Sequence, residues 1–167
     1  MDEAEFATCG SSITNQGMGG WTLQSIDLSF NTFISGGGSF VVIQGGTNNL
    51  TPNDTDPNTE MRAAIESMTA KAIAVSMIPV FVNITPLGSA SGWSAAKQAN
   101  LESYNTWLSN YATINGYQMA DVYSVLTDGS DNLKTEYDCG DGVHLCDLGY
   151  RVMGAKIATA IIAAGPY

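Results

Sequence analysis

Apolar positions along the chain fall into runs that switch between two periods. Trp21, Ile26, Leu28, Phe30, Phe33 and Ile34 mark a helical stripe over 21–34, closed by Gly36-Gly37-Gly38. Ser39 to Ile43 is a short apolar strand. Leu50 to Thr59, rich in Asn, Asp, Thr and Pro, is a loop at that strand's carboxyl end. Helical spacing returns over Met61–Met77, with Ile65, Met68, Ala72 and Val75 on one face. Ile78 to Ile84 is the next strand, and Thr85–Trp93, with Pro86, Gly88 and Gly92, is a second loop. Ser94–Asn115 is a long helix whose Tyr104, Trp107, Leu108 and Tyr111 recur on one face, a spacing that serves core packing. Tyr117–Val122 is the last strand. Leu148–Ala163 is the closing helix, with Val152, Ile157 and Ile161 turned inward.

Strands that alternate with helices imply an α/β fold: a mostly parallel sheet between two helical layers. No internal repeat, linker or second hydrophobic block interrupts 1–167, so the pattern predicts a single domain. In such a sheet, ligands bind outside the carboxyl ends of the strands.

Charge narrows the partners. Sixteen acidic against six basic side chains give a net charge of −10, which disfavours nucleic acid and anionic membrane as partners. No apolar run is long enough to cross a bilayer; the longest, around Ile157–Ala164, ends a helix. Met1-Asp2-Glu3-Ala4-Glu5 lacks the basic-then-apolar pattern of a signal peptide. A low-charge surface of Ser, Thr, Asn and Gly nevertheless suits a secreted or periplasmic setting better than a cytoplasmic one, with any leader already removed.

The chemistry concentrates in three segments. His144, the sole histidine, lies three residues after Asp141 in a glycine-bearing loop ahead of an apolar helix. An imidazole beside a carboxylate can act as a general base with its orienting partner. Asn15-Gln16-Gly17-Met18-Gly19-Gly20-Trp21-Thr22 is a glycine-rich turn opening a helix, which offers free backbone N–H groups. Val41-Val42-Ile43-Gln44-Gly45-Gly46-Thr47-Asn48-Asn49 runs from strand into glycines and then an amide side chain. An N–H and an amide at one edge can form an oxyanion hole. Each segment taken alone is also an ordinary cap or turn.

Taken in order and spacing, these segments resemble the blocks of the SGNH hydrolases, the GDSL-like esterases and lipases. The resemblance runs from about Ala4 to the last helix. It implies the flavodoxin-like α/β/α sandwich of that family. It implies oxyanion donors at Gly20 and Asn48, an orienting acid at Asp141 and a base at His144, with a small-molecule ester as substrate and no cofactor or metal. The chain departs from the family in two places. The family's Asn-Asp pair reads Asn48-Asn49 here, and the Gly-Asp-Ser block is degenerate or missing. Its nearest match is Gly10-Ser11-Ser12-Ile13-Thr14, directly ahead of the oxyanion glycine block, with Ser12 in the position of the nucleophile and Ser11 as the alternative.

Two accounts of that front end compete. In one, the nucleophile strand is absent. The protein is then an impaired relative that binds carbohydrate or ester, or one whose missing strand comes from a second chain or an exchanged copy. In the other, Ser12 serves as nucleophile and an edge strand has been lost. Polar Glu3–Cys9 fits an edge better than a centre, as the first account has it; losing a central strand would leave buried backbone groups unpaired at about 1–3 kcal/mol each, which favours the second.

Cys139 and Cys146 bracket the Asp-His loop. A disulfide between them would clip that loop and contribute about 2–3 kcal/mol; the alternative is two free thiols, with Cys9 left over. The Cys-His-Cys spacing matches no common zinc pattern, and Asn53–Asp56 matches no calcium loop.

Overall fold

The computed structural model describes residues 12–50 and 57–165. Glu3–Cys9, Ser11 and Asn53–Asp56 lie outside the described residues. Element order is α1 (Leu23–Phe33), β1 (Phe40–Gln44), a 3-10 turn (Thr47–Asn49), α2 (Pro57–Ala74), β2 (Ile78–Val82), α3 (Ala95–Asn115), β3 (Gln118–Ala120), a short α4 (Tyr123–Leu126) and α5 (Asp147–Ala164). Among the described residues the sheet has three strands in the order β1-β2-β3, all parallel. Val42 pairs with Val80, and Phe81 with Met119.

Side-chain alternation along the central strand explains the layers. Phe81 points to one face, into a core shared with Ile43, Met61, Ile65 and Met68 of α2, and Leu101, Tyr104 and Leu108 of α3. Val80 and Val82 point to the other face, toward Ala120, Leu133, Leu145 and Ala160 of α5. Helices α2 and α3 thus cover one face and α5 the other, with α1 packed on α2. This is the α/β/α arrangement that the periodicity predicts.

Local chemistry sets the element ends. Thr22 caps α1, its hydroxyl accepting from the Ser25 N–H at 3.3 Å. Gly116 closes α3 at φ 73°, the left-handed position where a glycine costs least. Helix α2 begins at Pro57, before the expected Met61, because a proline in the first turn has no N–H to leave unsatisfied and a φ already helical.

Two positions expected on inner faces are in solvent. Leu28 is 86% exposed; the inward stripe of α1 is Leu23, Ile26 and Phe30, and Leu28 lies off that arc. Val75 is also exposed, because α2 ends at Ala74 and the chain turns through Ser76 at φ 61° to bury Met77 instead.

Candidate active site

Three loops leave the carboxyl ends of parallel neighbours and therefore share one edge: Gly45–Asn49 after β1, Asn83–Trp93 after β2 and the segment after β3. The first loop turns sharply. Gly46 has φ 112°, and a Cβ there would sit 2.7 Å from Ile84 Cδ1, so the β1 and β2 loops are in contact at a glycine.

The turn that follows holds two asparagines with different tasks. Asn49 is buried; its Oδ1 accepts from the Leu23 N–H at 3.0 Å and its Nδ2 donates to Gln24 Oε1 at 2.6 Å. The residue that replaces the family's aspartate is therefore spent on fixing the start of α1. Asn48 is exposed, and its Nδ2 donates to the Trp21 carbonyl at 3.0 Å. That bond ties Asn48 to the residue that follows Gly20 in the chain. An amide NH₂ carries two hydrogens, and one remains for a ligand. Gly20 sits at φ 80° with open space around it.

The loop after β3 and α4 ends in a tight hairpin. Asp138 bridges Leu145 in antiparallel fashion, the Cys139 N–H donates to the His144 carbonyl at 2.9 Å, and the Cys146 N–H donates to the Tyr137 carbonyl at 2.8 Å. Asp141 and His144 occupy its tip. Asp141 Oδ1 accepts from the Val143 and His144 N–H groups at 2.9 and 2.8 Å, while Oδ2 lies 2.6 Å from His144 Nδ1. The His144 backbone and ring, then the Val143 amide, hold the Asp141 carboxyl down at about 2. The carboxylate is thus ionised at neutral pH and aimed at Nδ1, which leaves Nε2 as the nitrogen facing outward. The pair is open to water, with side chains 70% and 52% exposed.

Gly142 locks the hairpin onto the β2 loop. At φ 71°, its hypothetical Cβ would lie 2.6 Å from the Ser89 carbonyl carbon and 2.7 Å from Ala90 N. The β2 loop is itself clamped. Asn105 of α3 brackets Ile84, accepting from its N–H at 2.9 Å and donating to its carbonyl at 3.0 Å. Buried Asn83 accepts from the Val122 and Tyr123 N–H groups at 2.8 and 3.1 Å and donates to Asp121 at 2.8 Å. Beside this loop a cavity of ≈ 270 Å³ is lined by Gly88, Trp93, Gln98, Asp131 and Asn132 among others.

Ser12 is exposed, and among the described residues it makes no hydrogen bond to His144, whose ring bonds to Asp141. The Cys139–Cys146 bridge is not formed. Both thiols are free, with Cys139 Sγ donating to the Leu145 carbonyl and Cys146 Sγ to the Glu136 carbonyl, each at 3.1 Å. Backbone bonds, not sulfur, close the hairpin. Among the described residues no three His, Cys, Asp or Glu side chains converge on a metal position.

The family model of the GDSL-like lipases and acylhydrolases matches residues 4–152. The chain belongs to that family. Among solved structures it is similar to a GDSL-like lipase from Bacteroides thetaiotaomicron VPI-5482, at 26% identity and a TM-score of 0.80, over 95% of this chain and 78% of that one. A protein from Bacteroides fragilis NCTC 9343 matches at 28% identity and a TM-score of 0.81, over 96% and 79%. A W215I variant of an acetyl xylan esterase from Geobacillus stearothermophilus shares the fold, with 14% identity and a TM-score of 0.78 over 99% and 79%. No curated protein matches the sequence significantly. Membership of a hydrolase family agrees with an Asp-His pair at the carboxyl edge of a parallel sheet.

Sequence reasoning missed Asn83, Asn105 and Asp138. The first two act on backbone groups 21 to 40 positions away, and no local signal announces such a bond. Asp138 does carry one: Asp138-Cys139-Gly140-Asp141-Gly142 is an aspartate followed by two glycines in a turn.

Proposed function

We propose that the protein is a serine hydrolase of small carboxylic esters. Ser12 Oγ attacks the ester carbonyl, and His144 Nε2 takes its proton. The tetrahedral oxyanion is held by the Gly20 N–H and the free hydrogen of Asn48 Nδ2, donors of a kind worth about 2.7–4 kcal/mol each in the transition state. The C–O bond to the alcohol then breaks, and the imidazolium returns the proton to the leaving alkoxide. Water repeats the sequence on the acyl-serine, releasing the acid and the free hydroxyl. Asp141 holds the Nδ1–H tautomer throughout. A secreted or periplasmic setting belongs to the same proposal.

The observation that carries this reading is the 2.6 Å contact between Asp141 Oδ2 and His144 Nδ1, at the end of a loop pinned to the sheet edge. The test is hydrolysis of p-nitrophenyl acetate. Turnover by the wild type that is lost in His144→Ala supports the assignment; turnover that survives removal of the sole imidazole rejects it.

One observation favours a second reading. Ser12 makes no hydrogen bond to His144 among the described residues. If the nucleophile belongs to another chain, or is lacking, the same cleft binds an ester or a carbohydrate without cleaving it. Ser12→Ala separates the readings, since full activity in that variant moves the nucleophile elsewhere. Mass in solution then tells whether a second copy is present.

A further inference from the structure

The acid and base at the hairpin tip stand on a second carboxylate. Asp138 Oδ1 accepts from three successive backbone N–H groups: Gly140 at 2.8 Å, Asp141 at 3.2 Å and Gly142 at 3.0 Å. Converging amides of this kind form an anion-binding concavity, and the chain fills it with its own carboxylate. The convergence depends on Gly140 at φ 104° and Gly142 at φ 71°, backbone states that a residue with a Cβ rarely adopts. The middle donor is the amide of Asp141 itself. Asp141 in turn gathers the Val143 and His144 amides and the His144 ring. Two nested turns therefore run in series, Asp138 fixing the backbone of Asp141 and Asp141 fixing the imidazole.

We propose that Asp138 is a positioning residue for hydrolysis, setting the orientation and tautomer of His144 through Asp141. The inference rests on the reading of His144 as the general base. Without the Asp138 acceptor, three N–H groups lose their shared partner and the tip relaxes toward water-solvated turns. The exposed ring then has no fixed angle to the cleft. Misplacing a catalytic group by about 1 Å can cost about 10²-fold in rate, and a general base acts in the transition state rather than in ground-state binding. The effect belongs in kcat, with KM changing by less than about twofold.

His144 is the sole histidine, so its ring nitrogens give a single set of ¹⁵N resonances whose shifts report the tautomer. The experiment reads those shifts with the ring neutral, together with p-nitrophenyl acetate kinetics, in the wild type, Asp138→Ala, Asp138→Asn and Gly140→Ala. We expect the Nδ1–H form in the wild type and a mixed population in Asp138→Ala, with kcat down by about 10- to 100-fold. Asp138→Asn keeps the accepting oxygen and should restore the tautomer and most of the rate. Gly140→Ala leaves the carboxylate in place and meets nothing within 4 Å, yet it forbids the turn, so it should reproduce the Ala phenotype without touching Asp138. Wild-type tautomer and rate in Asp138→Ala overturn the proposal while leaving the esterase reading intact. A wild type that hydrolyses no ester sinks the esterase reading, yet the nitrogen shifts still show whether Asp138 governs the ring. If Asp138→Ala does not fold, Gly140→Ala decides alone.

Discussion

Replacing Asp141 by asparagine exchanges one oxygen for an NH₂ and inverts the hydrogen-bond logic of the dyad. The two turn bonds, from the Val143 and His144 N–H groups at 2.9 and 2.8 Å, end on Oδ1, which asparagine retains. Keeping them turns the new NH₂ toward His144 Nδ1, where Oδ2 stands at 2.6 Å in the native side chain. Two donors cannot face each other, so the ring proton moves to Nε2, the nitrogen that must accept from the serine. In a buried triad this exchange lowers kcat by about 10⁴-fold. Here His144 and Asp141 are 70% and 52% exposed, so water can restore part of the productive tautomer, and a loss of about 10²–10³-fold in kcat is expected. Substrate binding does not involve Nδ1, so KM should stay within about twofold. Initial-rate kinetics on p-nitrophenyl acetate decide the matter. A kcat within about threefold of wild type would refute the reasoning, because it would mean that the tautomer is immaterial.

Other expectations follow from the same geometry. Gly142→Ala places a Cβ 2.6 Å from the Ser89 backbone at φ 71°, so it should destabilise by about 2–3 kcal/mol and lower kcat as the hairpin lifts from the β2 loop; thermal unfolding and turnover read both. Asn83→Ala strips the acceptor from the Val122 and Tyr123 amides and should cost about 2–4 kcal/mol in urea unfolding. The Asp141 carboxyl lies at about 2 in the folded protein against 3.8 unperturbed. Its contribution to stability is therefore fully present above about pH 4 and is lost as pH falls toward 2. Comparing acid unfolding of the wild type and Asp141→Asn checks that window; a difference persisting unchanged at pH 2 would contradict it.

Among the described residues, periodicity located the four long helices and the three strands, and Phe81 on one face with Val80 and Val82 on the other follows the two-residue period of a strand. It misplaced Leu28 and Val75, where an apolar side chain is simply not on the buried arc. The D-x-x-H spacing placed Asp141 beside His144, since that pairing is made within one turn, and Asn48 bonds to the Trp21 carbonyl across adjacent loops. The sequence left a bridge and two free thiols both open. Cys139 and Cys146 stand seven positions apart, which permits a bridge, but each sulfur is directed at a carbonyl instead. It could not foresee the Asn83 and Asn105 clamps, whose partners adjoin them only after the sheet has formed.

In the proposed reaction the imidazole held by Asp141 activates the hydroxyl of Ser12. Reaction with a fluorophosphonate, followed by peptide mapping, addresses it directly, because only a hydroxyl made nucleophilic by its base displaces the fluoride. The account predicts one adduct, on Ser12, formed by the wild type and absent from His144→Ala. An adduct on another serine, or none from a folded wild-type protein, would contradict it.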